Sequence, residues 1–405
     1  MADMEKQHVD DFALFGGRPA FDSFRTTMTL AVPDRGIFFK HAKASFAARH
    51  LTNHGPAVTE LERQLAEFHG VKHCVAFSNC FTGMYIALRF LALPGKKEVV
   101  VPSLTYRRMA DIIDWAGLLP RFCDVDPDTL GISPETARPC IDENTALLLA
   151  PHPTTRLCDI DGMENLAREH GLPLFFDSVE ACGGAHKGVM IGGFGDCESF
   201  SMYPSEVLNS CEGGYITTNH DDIAKTLKIA RAFGFSGNDN IVMLGHNAKL
   251  NELHAAMGLA SLSGIERQFA DNKRVHLAYQ AHLSGLPGLT IIPYDQSEKR
   301  NWKSVLVRLD APWPFSREDT LHLLNVENIH ARPYHSPPQH ITFPRQAGKG
   351  ARPLPVTDQA AASHFILPFG STVSEEDTAI VGQVLRSMLV LRAPLRERLS
   401  QGAMA

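Results

Sequence analysis

Short, continuously apolar segments separated by helical patterns constrain the fold of this sequence more than any other feature. Residues 99–101, 147–149 and 172–176 are such segments, and residues 162–170 carry a helical pattern between the last two. Strands that are apolar at every position are typical of a parallel sheet with helices on both faces. We therefore predict an α/β fold with a mainly parallel central sheet.

Polar side chains follow three of the predicted strands, near the point where each one ends. Tyr106 follows residues 99–101 and Asp177 follows residues 172–176, and Glu206 comes shortly after a further strand-like run at 198–202. Ligands of parallel α/β sheets bind beyond the carboxyl ends of the strands. The sequence therefore predicts one pocket that contains all three side chains.

The pattern along the chain divides it into an N-terminal arm, a large α/β domain and a smaller C-terminal α/β domain. Their predicted bounds are 1–55, 56–275 and 276–405, with the arm irregular throughout. In the last part we predict strands at 289–292 and 305–309 and a final helix at about 375–391.

The first helix is predicted to begin after Gly55-Pro56 and to end at Gly70, a residue type common at helix ends. Thr59 and Glu62 have the spacing of a capping box, in which the two side chains bond to each other's backbone amides. Apolar residues recur at helical spacing between these points.

Composition excludes several classes of protein. A net charge of −6 and a pI near 6.3 argue against a general nucleic-acid binder. No run approaches the ~20 apolar residues that a membrane helix needs, and the charged first residues do not resemble a signal peptide. Eight cysteines without a C-x-x-C pair predict free thiols, no metal site and a cytoplasmic protein.

The segment 201–214 carries the most specific motif of the chain. It begins Ser201-Met202-Tyr203-Pro204-Ser205-Glu206 and ends Glu212-Gly213-Gly214. It resembles the lysine loop of DegT/DnrJ/StrS-type sugar aminotransferases, which are pyridoxal-phosphate (PLP) enzymes of fold type I. The family pattern is roughly Ser-Phe-His-x-Thr-Lys, a short spacer and Glu-Gly-Gly. Here Glu206 occupies the lysine position and Tyr203 the histidine position.

The resemblance extends over nearly the whole chain, because further blocks follow in the order of the family. These blocks are residues 13–17, 51–56, 101–106, 124–127, 176–180, 192–196 and 245–259. The resemblance implies a fold-type-I aminotransferase architecture and a homodimer with pockets at the subunit boundary. It does not by itself establish the activity, since one fold hosts many functions.

The resemblance also implies which residues face the cofactor. Asp177 matches the carboxylate that pairs with the pyridine nitrogen, although it is equally a residue type that caps a following helix. Tyr106 matches the aromatic residue that stacks on the ring, and an ordinary core tyrosine is the alternative. Glu180 belongs to the same block as Asp177 and is included among the cofactor-binding candidates.

The phosphate site implied by the resemblance is only partly retained. Ser205 and Asn247 match phosphate-binding positions, Asn247 from the neighbouring subunit. Cys80 and Phe81 align with a segment that holds the phosphate at a helix N-terminus, and Phe81 replaces a threonine. A phenyl ring donates no hydrogen bond, although a shift of one residue would bring Thr82 into that place.

Glu206 changes both the chemistry and the charge of the pocket. A carboxylate cannot form the imine that the family lysine forms with PLP. Replacing a cation by an anion changes the local charge by two units, and each unit at ~4 Å contributes roughly 4 kcal/mol at an effective dielectric of ~20. Burial beside Asp177 would raise the pKa of Glu206 and make it an acid–base group, with Tyr203 as a further catalytic candidate. The alternative is that Glu206 marks an inactive site.

Other positively charged residues do not obviously replace the missing lysine. Lys187 and Lys249 match positions where ordinary members also carry basic residues, so neither is expected to form the imine. Arg332 and His335 match a stretch near the substrate in the family, although a surface turn held by prolines explains them almost as well.

Three functions remain open. The first is an enzyme of sugar or antibiotic-type biosynthesis that is not an ordinary transaminase and uses Glu206 as acid or base. The second is a lysine-free enzyme that holds PLP or pyridoxamine phosphate (PMP) non-covalently, like keto-sugar dehydratases, or a transaminase-like variant of it. The third is a non-catalytic partner of a related aminotransferase. The sequence leaves the small-molecule substrate, the presence of a cofactor and the choice between homodimer and heterodimer open.

Overall fold

The computed structural model describes residues 6–27, 31–237, 239–343 and 352–402. Its β-strands, in chain order, are β1 His73–Phe77, β2 Glu98–Pro102, β3 Leu119–Cys123, β4 Thr145–Pro151, β5 Leu174–Asp177, β6 Ala185–His186, β7 Val189–Met190, β8 Cys197–Ser201, β9 Gly214–Thr218, β10 Leu289–Ile291, β11 Leu306–Leu309, β12 Arg332–Pro333 and β13 His364–Ile366.

The α-helices in chain order are α1 Arg35–Ala47, α2 Pro56–His69, α3 Cys80–Leu91, α4 Met109–Trp115, α5 Pro134–Ala137, α6 Ile160–His170, α7 Asp221–Ala230, α8 Glu252–Ser263, α9 Ile265–Leu283, α10 Arg317–Val326, α11 Gln339–Thr342, α12 Pro355–Ser363, α13 Glu375–Val390 and α14 Arg392–Gly402. Short 3₁₀ helices cover Val9–Asp11, Ala13–Phe15 and Arg138–Cys140.

A seven-stranded sheet forms the centre of the larger part of the molecule. Its order is β1-β9-β8-β5-β4-β2-β3, and β9 alone runs antiparallel to its neighbours in that sheet. The strands β4, β5 and β9 are buried along their whole length, as expected for a sheet with helices on both faces. The predicted mainly parallel α/β fold is therefore confirmed.

A second, four-stranded antiparallel sheet follows in the C-terminal part, with the order β10-β11-β13-β12. Its hydrophobic core also includes residues from α9 and α13 and the aromatic rings of Phe12 and Phe21. The N-terminal residues are anchored there because the buried Glu327 carboxylate accepts hydrogen bonds from the backbone amides of Ala13 and Ala20, at 2.8 Å each.

Two local predictions are wrong in detail. The N-terminal arm is not irregular throughout, because α1 occupies Arg35–Ala47 after Asp34, whose side chain caps it. The helix predicted at the C-terminus is present as α13, but α14 follows it. The predicted domain boundary near residue 275 falls inside α9, and the three-part division stays a prediction.

The predicted limits of α2 are confirmed, but its predicted capping box is wrong. Pro56 is the first helical residue, and Gly70 ends the helix with a φ of +66°. Thr59 lies inside the helix, and Glu62 instead accepts hydrogen bonds from Arg231 and from the amide of Ala76. The spacing of Thr59 and Glu62 could not reveal these partners, which lie 14 and 169 residues from Glu62 in the sequence.

The N-terminus of α2 is capped by the carboxylate of Glu252, which is fully buried. Its oxygens accept hydrogen bonds from the amides of Ala57 (2.6 Å) and Val58 (3.1 Å) and from the hydroxyl of Ser45 in α1 (2.9 Å). A Cβ at Gly55 would lie 2.7 Å from this carboxyl group, so a glycine is required there. Glu252 thereby joins α1, α2 and α8.

Among the described residues, no single helix has the length and apolar composition to cross a membrane, although α13 together with Arg392–Gln401, bent by 81°, meets those criteria as a pair.

We expect Glu252→Ala to lower the free energy of unfolding by about 2–4 kcal/mol, because two helix amides and a buried hydroxyl lose their acceptor. Glu266→Ala is the matched control, since Glu266 is exposed and pairs with Lys299 at the surface. Its effect should stay below about 1 kcal/mol. Urea unfolding of both variants measures the difference, and equal effects would contradict the proposed cap.

Candidate active site

The carboxyl ends of three parallel strands place the predicted site residues at one edge of the large sheet. Asp177 ends β5, where it pairs in register with Pro151 of β4 and Ser199 of β8. Tyr106 follows β2, and Glu206 lies in the loop after β8. The charges of Asp177 and Glu206 influence each other, and that of Asp177 reaches the Tyr106 hydroxyl. The structure therefore places these three residues at the same edge of the large sheet.

Asp177 is a buried carboxyl group with few donors. The amide of Val179 and the hydroxyl of Ser199 each lie 3.4 Å from Oδ1. Burial raises the pKa of Asp177 from its ordinary value of 3.8 to about 7, and the charges of Glu180 and Glu206 act in the same direction. Asp177 can therefore exchange a proton near neutral pH.

Glu206 lies at the centre of the site, with 14% of its side chain exposed. Oε1 accepts a hydrogen bond from the Ser205 hydroxyl at 3.3 Å, and Oε2 accepts one from the Lys303 ammonium group. Burial raises the pKa of Glu206, and the positive charge of Lys303 opposes this effect. Ser205, predicted to bind a phosphate, contacts Glu206 here.

Lys303 is the site residue that sequence reasoning missed. Its Nζ lies between two carboxylates, bonded to Glu206 and 3.2 Å from Oε1 of Glu180, and only 8% of the side chain is exposed. Burial works to lower the pKa of Lys303, but Glu180 and Glu206 outweigh it and raise the pKa. The sequence offered one sign of a buried lysine, because Lys303 stands just before the strand β11.

The position of Lys303 corrects the charge balance expected from the sequence. A glutamate in place of a lysine removes one cation and adds one anion. The Lys303 ammonium group comes from another part of the chain and is bonded to Glu206. One of the two units of charge is therefore restored, and the Glu180 carboxylate, which also pairs with Lys303, adds a negative charge.

The N-terminus of α3 lies beside the site and contains Cys80 and Phe81. Asn79 caps this helix by accepting a hydrogen bond from the amide of Thr82 at 2.8 Å. Burial raises the pKa of the Cys80 thiol, with the charge of Asp177 acting in the same direction. The Phe81 ring packs along the helix against Tyr85, with centroids 6.3 Å apart. A Cβ at Gly214 would lie 2.3 Å from the Cys80 amide nitrogen, so β9 approaches the helix only because residue 214 is glycine.

Several other predicted residues lie at the surface. Tyr106 and Tyr203 are 50% and 43% exposed, and burial raises the pKa of the Tyr106 hydroxyl. The Tyr203 carbonyl accepts a hydrogen bond from the amide of Glu206 at 2.9 Å, which closes the loop. Asn247 is exposed and bridges to Ala232 through its backbone.

The two weak substrate candidates differ in position. His335 is half-buried, and burial lowers its pKa to about 4 while the charge of Glu180 opposes the shift. His335 is therefore within range of the charge of Glu180. Arg332 is exposed on β12, at the edge of the small sheet. The structure supports a place near the site for His335 only.

The two lysines considered from the sequence have other partners. Lys187 is exposed and pairs with Asp161 at 2.7 Å. The Lys249 ammonium group lies 4.1 Å from the centroid of the Phe233 ring, and Lys249 lines a cavity of about 910 Å³. Within the described residues, no group of three or more His, Cys, Asp or Glu side chains is arranged to hold a metal ion.

The residues at the strand ends fit the ring of a pyridoxal-type cofactor, because Asp177 offers a buried carboxyl group with a spare oxygen and a pKa near neutrality. They do not fit covalent attachment at position 206, since Glu206 has no amine. The arrangement as a whole can exchange protons through Asp177 and Glu206 and hold a charged ligand through Lys303 and two carboxylates.

We expect Asp177→Asn to stabilise the protein at pH 8 and to have little effect near pH 4. Asp177 has a pKa of about 7 in the folded protein, against 3.8 as its ordinary value. The protonated carboxyl group therefore stabilises the fold fully below pH 3.8, and this contribution is lost as the pH rises through 7. Asparagine does not ionise, so it avoids a cost of up to roughly 4 kcal/mol. Urea unfolding across this pH range measures the effect.

Asp161→Asn is the control, because the bonds to Lys187 and His186 lower the pKa of Asp161. Relative to the natural protein, Asp161→Asn should become less stable as the pH rises, because the ionised Asp161 carboxylate stabilises the natural protein. An Asp177→Asn variant less stable than the natural protein at pH 8 would contradict the raised pKa.

Comparison with known proteins agrees with this geometry. Residues 35–386 match the DegT/DnrJ/EryC1/StrS aminotransferase family. A GDP-perosamine synthase of Caulobacter vibrioides is 30% identical over 341 residues, which are 83% of this chain and 91% of that protein. A dTDP-4-amino-4,6-dideoxy-D-glucose transaminase of Escherichia coli is 28% identical, over 88% of this chain and 96% of that protein.

A solved structure gives the same result for the fold. The crystal structure of DesI in the presence of its TDP-sugar product superposes with a TM-score of 0.89 and 32% sequence identity, covering 97% of this chain and 100% of that chain. The predicted fold-type-I aminotransferase architecture is confirmed. The chain belongs to the DegT/DnrJ/EryC1/StrS aminotransferase family.

Proposed function

We propose that this protein is an enzyme of nucleotide-sugar biosynthesis in which Glu206, in the place of the family lysine, is the acid–base residue. The observation that carries the proposal is the buried Glu206 carboxylate at the strand ends, bonded to Ser205 and Lys303. The names of the similar proteins support a nucleotide-linked sugar as the substrate class. Ordinary transamination, in which one lysine both forms the imine and moves the proton, is not part of the proposal.

The surroundings of Glu206 support acid–base work. Burial raises the pKa of Glu206, which favours a carboxyl group that can hold a proton as well as accept one. Lys303 counteracts this rise and keeps the carboxylate form accessible. Ser205 orients the other oxygen, so the group has a fixed direction.

The chain's own residues supply the places for a PLP or PMP cofactor. Asp177 would bond to the ring nitrogen, Tyr106 would stack on the ring, and Ser205 with the N-terminus of α3 would hold the phosphate. The cofactor supplies an electron sink for a bond broken beside an amine. Because Glu206 cannot form an imine, a PMP-dependent reaction without a lysine is the second candidate. The carboxylates of Glu180 and Glu206 favour it, since they could bind the amine of PMP.

A homodimer with shared pockets is part of the same proposal. Phe233, Ile241, Val242 and Leu244 are each at least 46% exposed and lie close in sequence to Asn247, the residue expected to reach the neighbouring subunit. An apolar group of this kind on a soluble chain favours a protein partner. A second copy of the chain is the partner that the family resemblance implies.

Analytical ultracentrifugation tests the dimer. We expect the natural protein to sediment as a dimer and the double variant Ile241→Asp/Leu244→Asp to dissociate, because two buried carboxylates would oppose an apolar interface. Val390→Asp is the control, since Val390 is 75% exposed on α13. A monomeric natural protein, or dissociation by the control alone, would contradict the proposed interface.

Turnover of GDP- and dTDP-linked keto-sugars, with PLP, PMP or no cofactor added, tests the enzyme proposal. We expect Glu206→Gln to reduce turnover by roughly 10²–10⁴-fold, the usual contribution of a positioned acid–base group. Glu212→Gln is the matched control, because this carboxylate lies exposed in the same loop. Unchanged turnover in Glu206→Gln would contradict the acid–base role, and binding without turnover by the natural protein would favour a non-catalytic partner.

A further inference from the structure

Lys303 is a buried amine for which the proposed function has so far given only an electrostatic role. Its ammonium group is bonded to Glu206 and Glu180 and lies at the same strand ends as Asp177. A lysine amine that has lost its proton forms imines with aldehydes and ketones, and Glu206 is a carboxylate bonded to Lys303 that can accept this proton.

The Lys303 amine lies at the end of the Glu206 side chain. A glutamate side chain is one bond shorter than a lysine side chain, and a charge-assisted hydrogen bond of about 2.8 Å extends beyond its oxygen. The Lys303 Nζ is bonded to Oε2 of Glu206, so this amine lies within hydrogen-bond distance of the end of the side chain at position 206.

The backbone around Lys303 is fixed to the strand-end loop. The side-chain amide of Asn301 donates hydrogen bonds to the carbonyls of Glu180 (2.9 Å) and Cys182 (3.0 Å). Its oxygen accepts a hydrogen bond from the amide of Lys303 at 3.2 Å, and the intervening Trp302 has a φ of +55°. Lys303 is therefore held in the site by its own segment and not only by its ion pairs.

We propose that Lys303 is the carbonyl-reactive amine of this pocket, forming an imine with the aldehyde of pyridoxal phosphate while Glu206 carries the protons. The inference rests on the proposed function, because it places that cofactor at Asp177. It goes beyond the proposed function because Lys303 would form the imine and Glu206 would move the proton, two tasks that a single lysine performs in the family.

The step balances in atoms and charge. The Lys303 ammonium group gives one proton to the Glu206 carboxylate, and the nitrogen lone pair then adds to the aldehyde carbon while a proton moves from nitrogen to the oxygen. The hydroxyl group leaves as water with the proton held by Glu206, and a carbon–nitrogen double bond remains on a protonated nitrogen. The net change is ammonium plus aldehyde giving protonated imine plus water.

The electrostatics of the site are compatible with this step. A protonated imine carries the same positive charge as the ammonium group it replaces, so Glu180 and Glu206 keep their cation. The pair of carboxylates that raises the pKa of Lys303 also provides the nearest proton acceptor. Burial raises the pKa of Glu206 and the two carboxylates raise the pKa of Lys303, so Lys303 holds its proton before the aldehyde reacts.

Reduction of the purified full-length protein with borohydride after incubation with equimolar pyridoxal phosphate tests the proposal. We expect a phosphopyridoxyl group on the peptide that contains Lys303, identified by mass spectrometry, together with the absorbance of a protonated imine before reduction. Lys303→Arg retains a cation between the carboxylates but cannot form the imine, so it should lose both signals. Glu206→Gln should form the adduct more slowly.

Lys187→Arg and Lys249→Arg are the matched controls and should keep the label on Lys303. A label on either of those lysines, or no label on the Lys303 peptide of the natural protein, would overturn the proposal. Where Lys303→Arg does not fold, the labelled peptide of the natural protein still decides the question.

The two proposals fail in different ways. Cofactor binding in calorimetry and Glu206-dependent turnover without a label on Lys303 would remove only this inference. A label on Lys303 with unchanged turnover in Glu206→Gln would retain the amine and remove the acid–base role of Glu206.

Discussion

One buried ammonium group determines the character of this site, because Lys303 lies between two carboxylates that would otherwise share a desolvated space. Glu180 and Glu206 come from the loops after β5 and β8, and Lys303 precedes β11 of the small sheet. Removing one partner of such a buried pair typically costs about 3–5 kcal/mol, since the remaining charge is left without compensation. The same contact therefore shapes the pocket and joins the two sheets of the molecule.

Burial is the main cause of the raised pKa of Asp177, and the excess of acidic over basic groups in the pocket adds to it. Glu180 and Glu206 already face a single cation, so a third anion at the end of β5 is unfavourable. Burial and these two charges together raise the pKa of Asp177 to about 7. A ligand that brings a positive charge to Asp177 would relieve this repulsion, which is the electrostatic property expected of a site for a protonated pyridine ring.

The sequence predicted what depends on local pattern and missed what depends on distant partners. The apolar runs around β4 and β5 were sufficient for the parallel sheet, and strand ends were sufficient to bring Asp177 and Glu206 together. Spacing at Thr59 and Glu62 misled, because Glu62 bonds to Arg231, 169 residues away. Lys303 was missed for the same reason, since 97 residues separate it from Glu206 and no local motif connects them.

The same long-range pairing means that position 206 cannot be understood by itself. A lysine introduced there alone would place a second ammonium group beside Lys303, and at ~4 Å two like charges oppose each other by roughly 4 kcal/mol at an effective dielectric of ~20. Glu180 would then face both ammonium groups, with Asp177 as the other carboxyl group of the site. We therefore do not expect a single Glu206→Lys exchange to restore the pocket that the family resemblance implies, because the residue at position 206 is bonded to Lys303.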